Sequence, residues 1–236
     1  MIRKLVLAAA VLALATVAVP RASADSFDLN VIYCNCIPSG SIGGTVAVTE
    51  VSANVADVLV TLNSGLAFHD QGQTSFSFNI VDPNLSSPLS SSAFTIINNG
   101  GSTWTFQQPA VNSDGAGSFL YGFECAAGSN HCAGVPTTFE FQVTDTGIGT
   151  HLAWLETTNS SASNVDFSAN IARQDVSSCT GQVGGGNGTG ASTPSGGAAG
   201  GTSCGGSLPV AEPTSVLLLG TALLLAGKLL KMKLLV

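Results

Sequence analysis

Basic residues are nearly missing from the middle of this 236-residue chain. Between Asp25 and Leu208 the sole Lys or Arg is Arg173, against thirteen acids from Asp25 to Asp175, a net charge near −12. A surface that negative repels phosphate backbones, which excludes nucleic acid as a partner. The other six bases lie near the two ends: Arg3, Lys4, Arg21, Lys228, Lys231 and Lys233.

Catalytic signatures are missing too. There is no G-x-S-x-G elbow, no H-E-x-x-H and no EF-type calcium loop. His69, His131 and His151 fall in turn-rich segments, where exposure is expected. His69 and Asp70 are sequence neighbours and point apart, so they do not pair as base and orienter. Glu140 and Glu156 fall inside strand patterns, and Glu124 and Asp145 at strand ends. Acids there form a solvated face, whereas glycoside hydrolysis needs two carboxylates at a set separation across a cleft. No catalytic residue and no cofactor are assigned. Calcium stays open, because Asp82-Pro83-Asn84 and Asn112-Ser113-Asp114 offer about two or three oxygens each. Zinc through Cys34, Cys36, His131 and Cys132 does not match a zinc spacing.

What is present begins with an address. Residues 1–24 combine Arg3 and Lys4, an apolar run from Leu5 to Val19, and Ala22-Ser23-Ala24. This is the pattern of a secretory signal peptide, with signal peptidase expected to cut between Ala24 and Asp25. The apolar run is short for a bilayer span of roughly 20 residues.

Residues 25–177 carry period-two patterns: Phe27-Leu29-Val31-Tyr33, Val58-Val60-Leu62, Phe76-Phe78-Ile80, Trp104-Phe106, Phe119-Tyr121-Phe123, Phe139-Phe141-Val143 and Val165-Phe167-Ala169-Ile171. Val46-Val48 and Phe94-Ile96 are fainter, and His151–Glu156 carries Trp154. Turn signals at Gly43-Gly44, Asn63-Ser64-Gly65, Asn98-Asn99-Gly100-Gly101 and Asp114-Gly115 separate them. No helical stripe appears. The expected fold is all-β, an antiparallel β-sandwich of jelly-roll type, with the alternating aromatics facing the opposite sheet.

All six cysteines lie in the part expected to be exported, where oxidation is favoured. Cys125 and Cys132 would close a hairpin-like loop around Gly128 and Ser129. Cys179 with Cys204, and Cys34 with Cys36, would complete one of fifteen connectivities. Residues 178–208 are rich in Gly and Ser and nearly free of large apolar side chains, so they form a flexible linker about 30 Å from end to end.

Residues 209–236 close the chain. Thr214 to Gly227 carries no charge and would span about 21 Å as a helix. Lys228, Lys231 and Lys233 follow, and their charge places them on the cytoplasmic side. Snorkelling by Lys228 lengthens this transmembrane helix. Pro213 suits its first turn.

Val210-Ala211-Glu212-Pro213-Thr214-Ser215, the apolar Leu/Gly helix and the terminal basic cluster together resemble the PEP-CTERM sorting signal of Gram-negative bacteria. Ala211 stands where that family usually has its first Pro, and Lys replaces the common Arg in the cluster. The resemblance implies recognition by exosortase, a membrane protease with a transpeptidase-like role. It further implies Sec export, an inner-membrane intermediate, and release to the cell surface or an exopolysaccharide matrix. The runs Phe76–Pro83, Ser113–Phe119, Thr137–Val143 and Ala169–Gly184 resemble a recurring PEP-CTERM ectodomain, for which no catalytic residues are carried over. Two other readings stay open. One is a permanently membrane-anchored protein. The other is a carbohydrate-binding, or ice-binding-like, sandwich module with Trp104, Trp154 or Tyr121 as its platform; Trp104, alternating with Phe106, is expected to be buried.

Overall fold

The computed structural model describes residues 24–32, 37, 41–70, 74–83, 88–108, 111–113, 116–128, 131–158, 165–175 and 179–186. The signal segment up to Ser23, Cys34 and Cys36, Asn84, Asp114-Gly115, most of the linker with Cys204, the sorting motif Val210–Ser215 and the lysine cluster lie outside these residues.

In chain order the strands are β1 (Ala24–Asp28), β2 (Val31–Ile32), β3 (Gly44–Ser52), β4 (Val55–Leu62), β5 (Leu66–Phe68), β6 (Phe76–Phe78) and β7 (Phe94–Asn98). There follow β8 (Trp104–Gln107), β9 (Val111–Ser113), β10 (Gly117–Phe119), β11 (Tyr121–Cys125), β12 (Thr138–Thr144), β13 (Phe167–Arg173) and β14 (Thr180–Gly185). The protein is thus all-β, and every pairing is antiparallel.

One sheet runs β1-β3-β4-β12-β7 and a second runs β2-β14-β13-β6-β11-β8, with β5 lying in line with β6 along one side of β13. β14 and the buried Cys179 and Val183 fall inside residues 178–208, which corrects the expected linker: its first residues belong to the body, because they pair with β13 and β2. The period-two pattern explains the first sheet. Ala56, Val58, Val60 and Leu62 of β4 are buried while the residues between them are half-buried. Phe139, Phe141 and Val143 of β12 continue the same inner face, in register with Val60, Val58 and Ala56.

Those inner faces share one core with the second sheet. Phe141 meets Phe78 at 5.0 Å and Phe123 at 4.8 Å between ring centres, and Phe27 meets Phe167 at 5.3 Å. Trp104 lies flat on Phe139 at 3.9 Å, and Phe94 on Phe106 at 4.4 Å, closing the β7–β8 side. Such ring pairs add to the area they bury about 0.5–1.5 kcal/mol each.

Two expected strands are broken. Phe27 belongs to the first sheet and Val31-Ile32 to the second, so the chain changes sheets at Leu29-Asn30. Leu29 is buried at the crossing, donating its N–H to Gly44 O and accepting from Gly43 N. Phe119 likewise ends β10, while Tyr121 and Phe123 sit in β11. Phe119 packs instead in a small second cluster with Ala116 and Val165, against Val31 and Val111.

Two hydrogen bonds from the β9–β10 hairpin and one between their partners form a chain against the second sheet. Ser113 Oγ donates to Ser77 Oγ at 2.8 Å, Ser77 Oγ to Thr74 Oγ1 at 2.8 Å, and Thr74 Oγ1 to Asn112 O at 3.5 Å. Every residue of β13 is buried, its polar alternates included. The segment His151–Glu156 is not a strand: the 3-10 turn Ile148–Thr150 leads into it and a second, Leu152–Trp154, lies within it. The Asn98–Gly101 turn signal acts as expected. Asn98 and Asn99 side chains accept from the N–H groups of Gly100 and Gly101, whose φ values of 58° and 88° favour glycine.

Candidate functional site

The segment from Asp145 to Thr157 forms a cap beside the β3–β4 hairpin. Asp145 N and Gly149 N donate to Asn54 O and Ala53 O, and Gly147 N donates to Asn54 Oδ1. A side chain at Gly149 would strike the Ser52 carbonyl, so the close approach requires glycine. The second 3-10 turn then lays the exposed His151 ring on Trp154, 4.4 Å apart and 20° from parallel. Trp154 is half-buried, and its carbonyl accepts from Val81 N at 2.9 Å.

Glu156 leaves this turn beside two carboxylates from distant strands. Asp25 projects from β1, and Asp166 is fully buried at the entrance to β13, donating its N–H to Gly185 O. Glu156 is half-buried, and its Oε1 is shut away from solvent without a donor among the described residues. Burial first, then the charge and the hydrogen-bonding carboxyl of Asp25, then the charge of Asp166, push the Glu156 acid up to about 7.

The remaining predicted residues are scattered. His69 is 2% exposed, which corrects the expected surface position: it follows β5, whose Phe68 O accepts Cys132 N, and its own N–H donates to Asn170 O. His131 is half-buried and His151 exposed. Glu140 points away from the core between fully buried Phe139 and Phe141. Glu124 lies within β11, not at its end, and accepts from Gln107 Nε2 at 2.9 Å. Asp145 follows β12, and its Oδ1 accepts the Thr146 N–H.

Among the calcium candidates, Asp82 is buried, and Ser113 Oγ is committed to Ser77. Among the described residues no three His, Cys, Asp or Glu side chains are grouped to hold a metal ion.

Cys125 and Cys132 are disulfide-bonded across 5.6 Å between Cα atoms, as the loop reading expected. That bond removes Cys132 from any thiolate metal set. Cys179 is also disulfide-bonded, and its partner lies outside the described residues. Trp104 is 7% exposed, with its indole N–H donating to Asn99 O at 2.8 Å. Tyr121 is 1% exposed, and its hydroxyl accepts Leu89 N at 2.8 Å. Burial raises the Tyr121 hydroxyl pKa. Of the three expected platforms only Trp154 therefore reaches the surface.

Arg173, the lone base of the body, is buried at β13 and holds exposed Asp175 by two bonds from its guanidinium. That fork lowers the Asp175 pKa and raises that of Arg173. The grouping of Asp25, Glu156 and Asp166 had no signal in the sequence, since its members are brought together only by the strand register.

No helix among the described residues is long and apolar enough to cross a membrane. Comparison with protein-family models, with curated proteins and with solved structures returns no match.

Proposed function

We propose that this chain is an exported protein of the bacterial cell surface or extracellular matrix, sorted by exosortase through its C-terminal tail and acting without catalysis. The observation that carries the reading is the order of three elements at residues 210–236: Glu212-Pro213 with its hydroxyl pair, an uncharged Leu/Gly run, and Lys228, Lys231 and Lys233. Each has a physical task. The apolar run enters the bilayer, the lysines hold the orientation, and Glu212-Pro213 sits at the outer interface, within reach of a membrane protease. The Gly-rich linker gives the body clearance from that protease.

The body is a β-sandwich of jelly-roll type. Ring contacts between strands of the two sheets, Phe27 to Phe167 and Phe141 to Phe78, support that arrangement. Its role is structural or interactive, with exopolysaccharide as the neighbouring polymer. Intact mass of the mature protein, from hosts with and without exosortase, tests the sorting. Loss of the tail only where the enzyme is present supports it. An intact tail in both hosts would make this a permanently anchored protein.

A second reading is favoured by one observation, the exposed His151 ring stacked on half-buried Trp154. Such a pair could stack against a sugar ring in a carbohydrate-binding module. Titration of the exported chain with a polysaccharide panel tests this through Trp fluorescence and retention. No response in either rejects it.

A further inference from the structure

The turn between β7 and β8 folds one side chain back onto its own backbone. Asn99 O accepts the Ser102 N–H at 3.0 Å, and Gly100 and Gly101 between them have φ of 58° and 88°. Positive φ at both central positions makes this a type I′ turn. Asn99 is exposed, and its Oδ1 accepts the Gly101 N–H at 3.0 Å. That bond bends the Asn99 carboxamide over the peptide bond that follows it, toward Gly100 N. The Gly100 N–H itself donates to Asn98 Oδ1 at 2.9 Å.

We propose that Asn99 is a covalent modification site, where the folded protein deamidates itself through a cyclic imide with Gly100. In the first step the Gly100 nitrogen bonds to Asn99 Cγ and gives its proton to solvent base. The bond from Cγ to the side-chain nitrogen breaks, and that nitrogen leaves as ammonia with a proton from water. Water then opens the imide at either carbonyl, leaving aspartate or isoaspartate. Water is consumed and ammonia released, with no change of oxidation state.

The turn supplies what this reaction needs. The Gly101 N–H already holds the oxygen on which charge gathers as the nitrogen attacks. The bond from Gly100 N–H to Asn98 lies in the plane of the peptide, so it leaves clear the faces of the nitrogen, where the new bond forms. Holding both groups in one orientation lowers the entropy cost of closing the ring. Gly100 has no side chain to hinder closure, and the fold cannot replace it: a Cβ there would strike Thr138 O and Pro136. The residue that the turn demands is the one that leaves Asn99 open to attack.

The product puts charge where the body has none. From Pro83 to Ser113 the chain has no charged residue and no histidine, and deamidation sets a carboxylate there, between the strands that end their respective sheets. Isoaspartate goes further. The main chain then runs through Cβ and Cγ, and the former Asn99 carbonyl, which accepts the Trp104 indole N–H at 2.8 Å, becomes a free carboxylate. This inference does not depend on the tail or on how it is processed.

The sequence holds one other Asn-Gly pair, Asn187-Gly188, which serves as an internal reference. The test incubates the exported chain, purified in a mild nonionic detergent, at mildly alkaline pH. Peptide mapping follows the amide-to-acid mass change at both asparagines and separates aspartate from isoaspartate. Asn99 is expected to convert at least as fast as Asn187 and to give both acids. Asn99→Gln, whose longer side chain disfavours ring closure, is expected to lose the product at 99 and keep that at 187. An Asn99 that stays an amide, or that lags behind Asn187, would overturn the inference. So would an acid at 99 that forms only in urea-unfolded protein, or one that is aspartate alone, which would mean direct hydrolysis without the imide.

Discussion

Ser113 and Ser77 are fully buried and joined by a hydrogen bond of 2.8 Å between their hydroxyls, which ties the β9–β10 hairpin to the outer face of β6. Ser77 passes its own proton on to Thr74 Oγ1. Without this chain the hairpin would cover polar side chains that had lost water and gained nothing.

Removing the middle member should therefore cost more than removing the end. Ser77→Ala leaves both Ser113 and Thr74 short of a partner and is expected to cost about 2 kcal/mol. Ser113→Ala is expected to cost about 1 kcal/mol. The double variant should cost less than the sum, because the second deletion removes a group already unsatisfied. Urea unfolding of the four proteins checks this. Strict additivity would mean that the two hydroxyls act separately.

The same face marks the limit of what alternation can reveal. In β4 and β12 every second residue is apolar, and those residues are the inner face. The Phe-Ser-Phe of β6 and the Phe-Ser-Ala-Asn of β13 read in the same way, as half-wet strands. Ser77, Ser168 and Asn170 are nonetheless buried, because alternation reports one apolar face and is silent on what covers the other. The crossing at Leu29-Asn30 was equally hidden, since Phe27, Leu29 and Val31 keep their period while the chain changes sheets. Short spacing made the Cys125–Cys132 pair legible. Proximity of Asp25 to Glu156 was not, because it depends on which strands become neighbours.

Cys125–Cys132 closes a loop whose Cys132 N–H donates to Phe68 O of β5. Replacing both cysteines by alanine is expected to destabilise the protein by about 2–3 kcal/mol, the chain-entropy value for a short loop. Peptide mapping of the unreduced protein also identifies the partner of Cys179. β2 and β14 pair Val31 with Gly184 and Ile32 with Val183. A peptide that joins Cys179 to Cys34 or Cys36 would overturn the Cys179–Cys204 pairing. Recovery of a Cys179–Cys204 peptide would support the pairing first read from the sequence.

Val135 has φ of 52°, in the left-handed region that a β-branched residue enters at a cost of roughly 1–2 kcal/mol. Its N–H donates to Cys132 O at 3.0 Å, which holds the turn after the disulfide. Val135 is 36% exposed, so little packing is lost on replacement. Val135→Asn is expected to stabilise the protein by about 0.5–1 kcal/mol, read as a rise in melting temperature. A fall would mean that the apolar contact outweighs the strain.

Glu156 gives the protein a pH response whose sign is set by the direction of its shift. In the folded chain it holds its proton up to about 7, above its ordinary value of 4.5. The folded state therefore binds more protons than the unfolded state between these values, and stability falls as pH rises through them. The contribution is fully present below about 4.5 and gone above about 7. Glu156→Gln keeps a neutral group in place. It is expected to flatten this part of the stability profile and to leave the variant more stable than the wild type above pH 7. The same group also senses the chain end. With Ala24 attached, the nitrogen of Asp25 is a neutral amide, whereas the expected signal-peptidase cut turns it into an ammonium close to the Asp25 and Glu156 carboxyls. That charge favours ionised Glu156 and should move the loss of stability to lower pH. Denaturant titrations across pH, on chains that begin at Asp25 and on chains extended through Ala24, would measure the displacement. Identical profiles would place the new ammonium out of reach of Glu156.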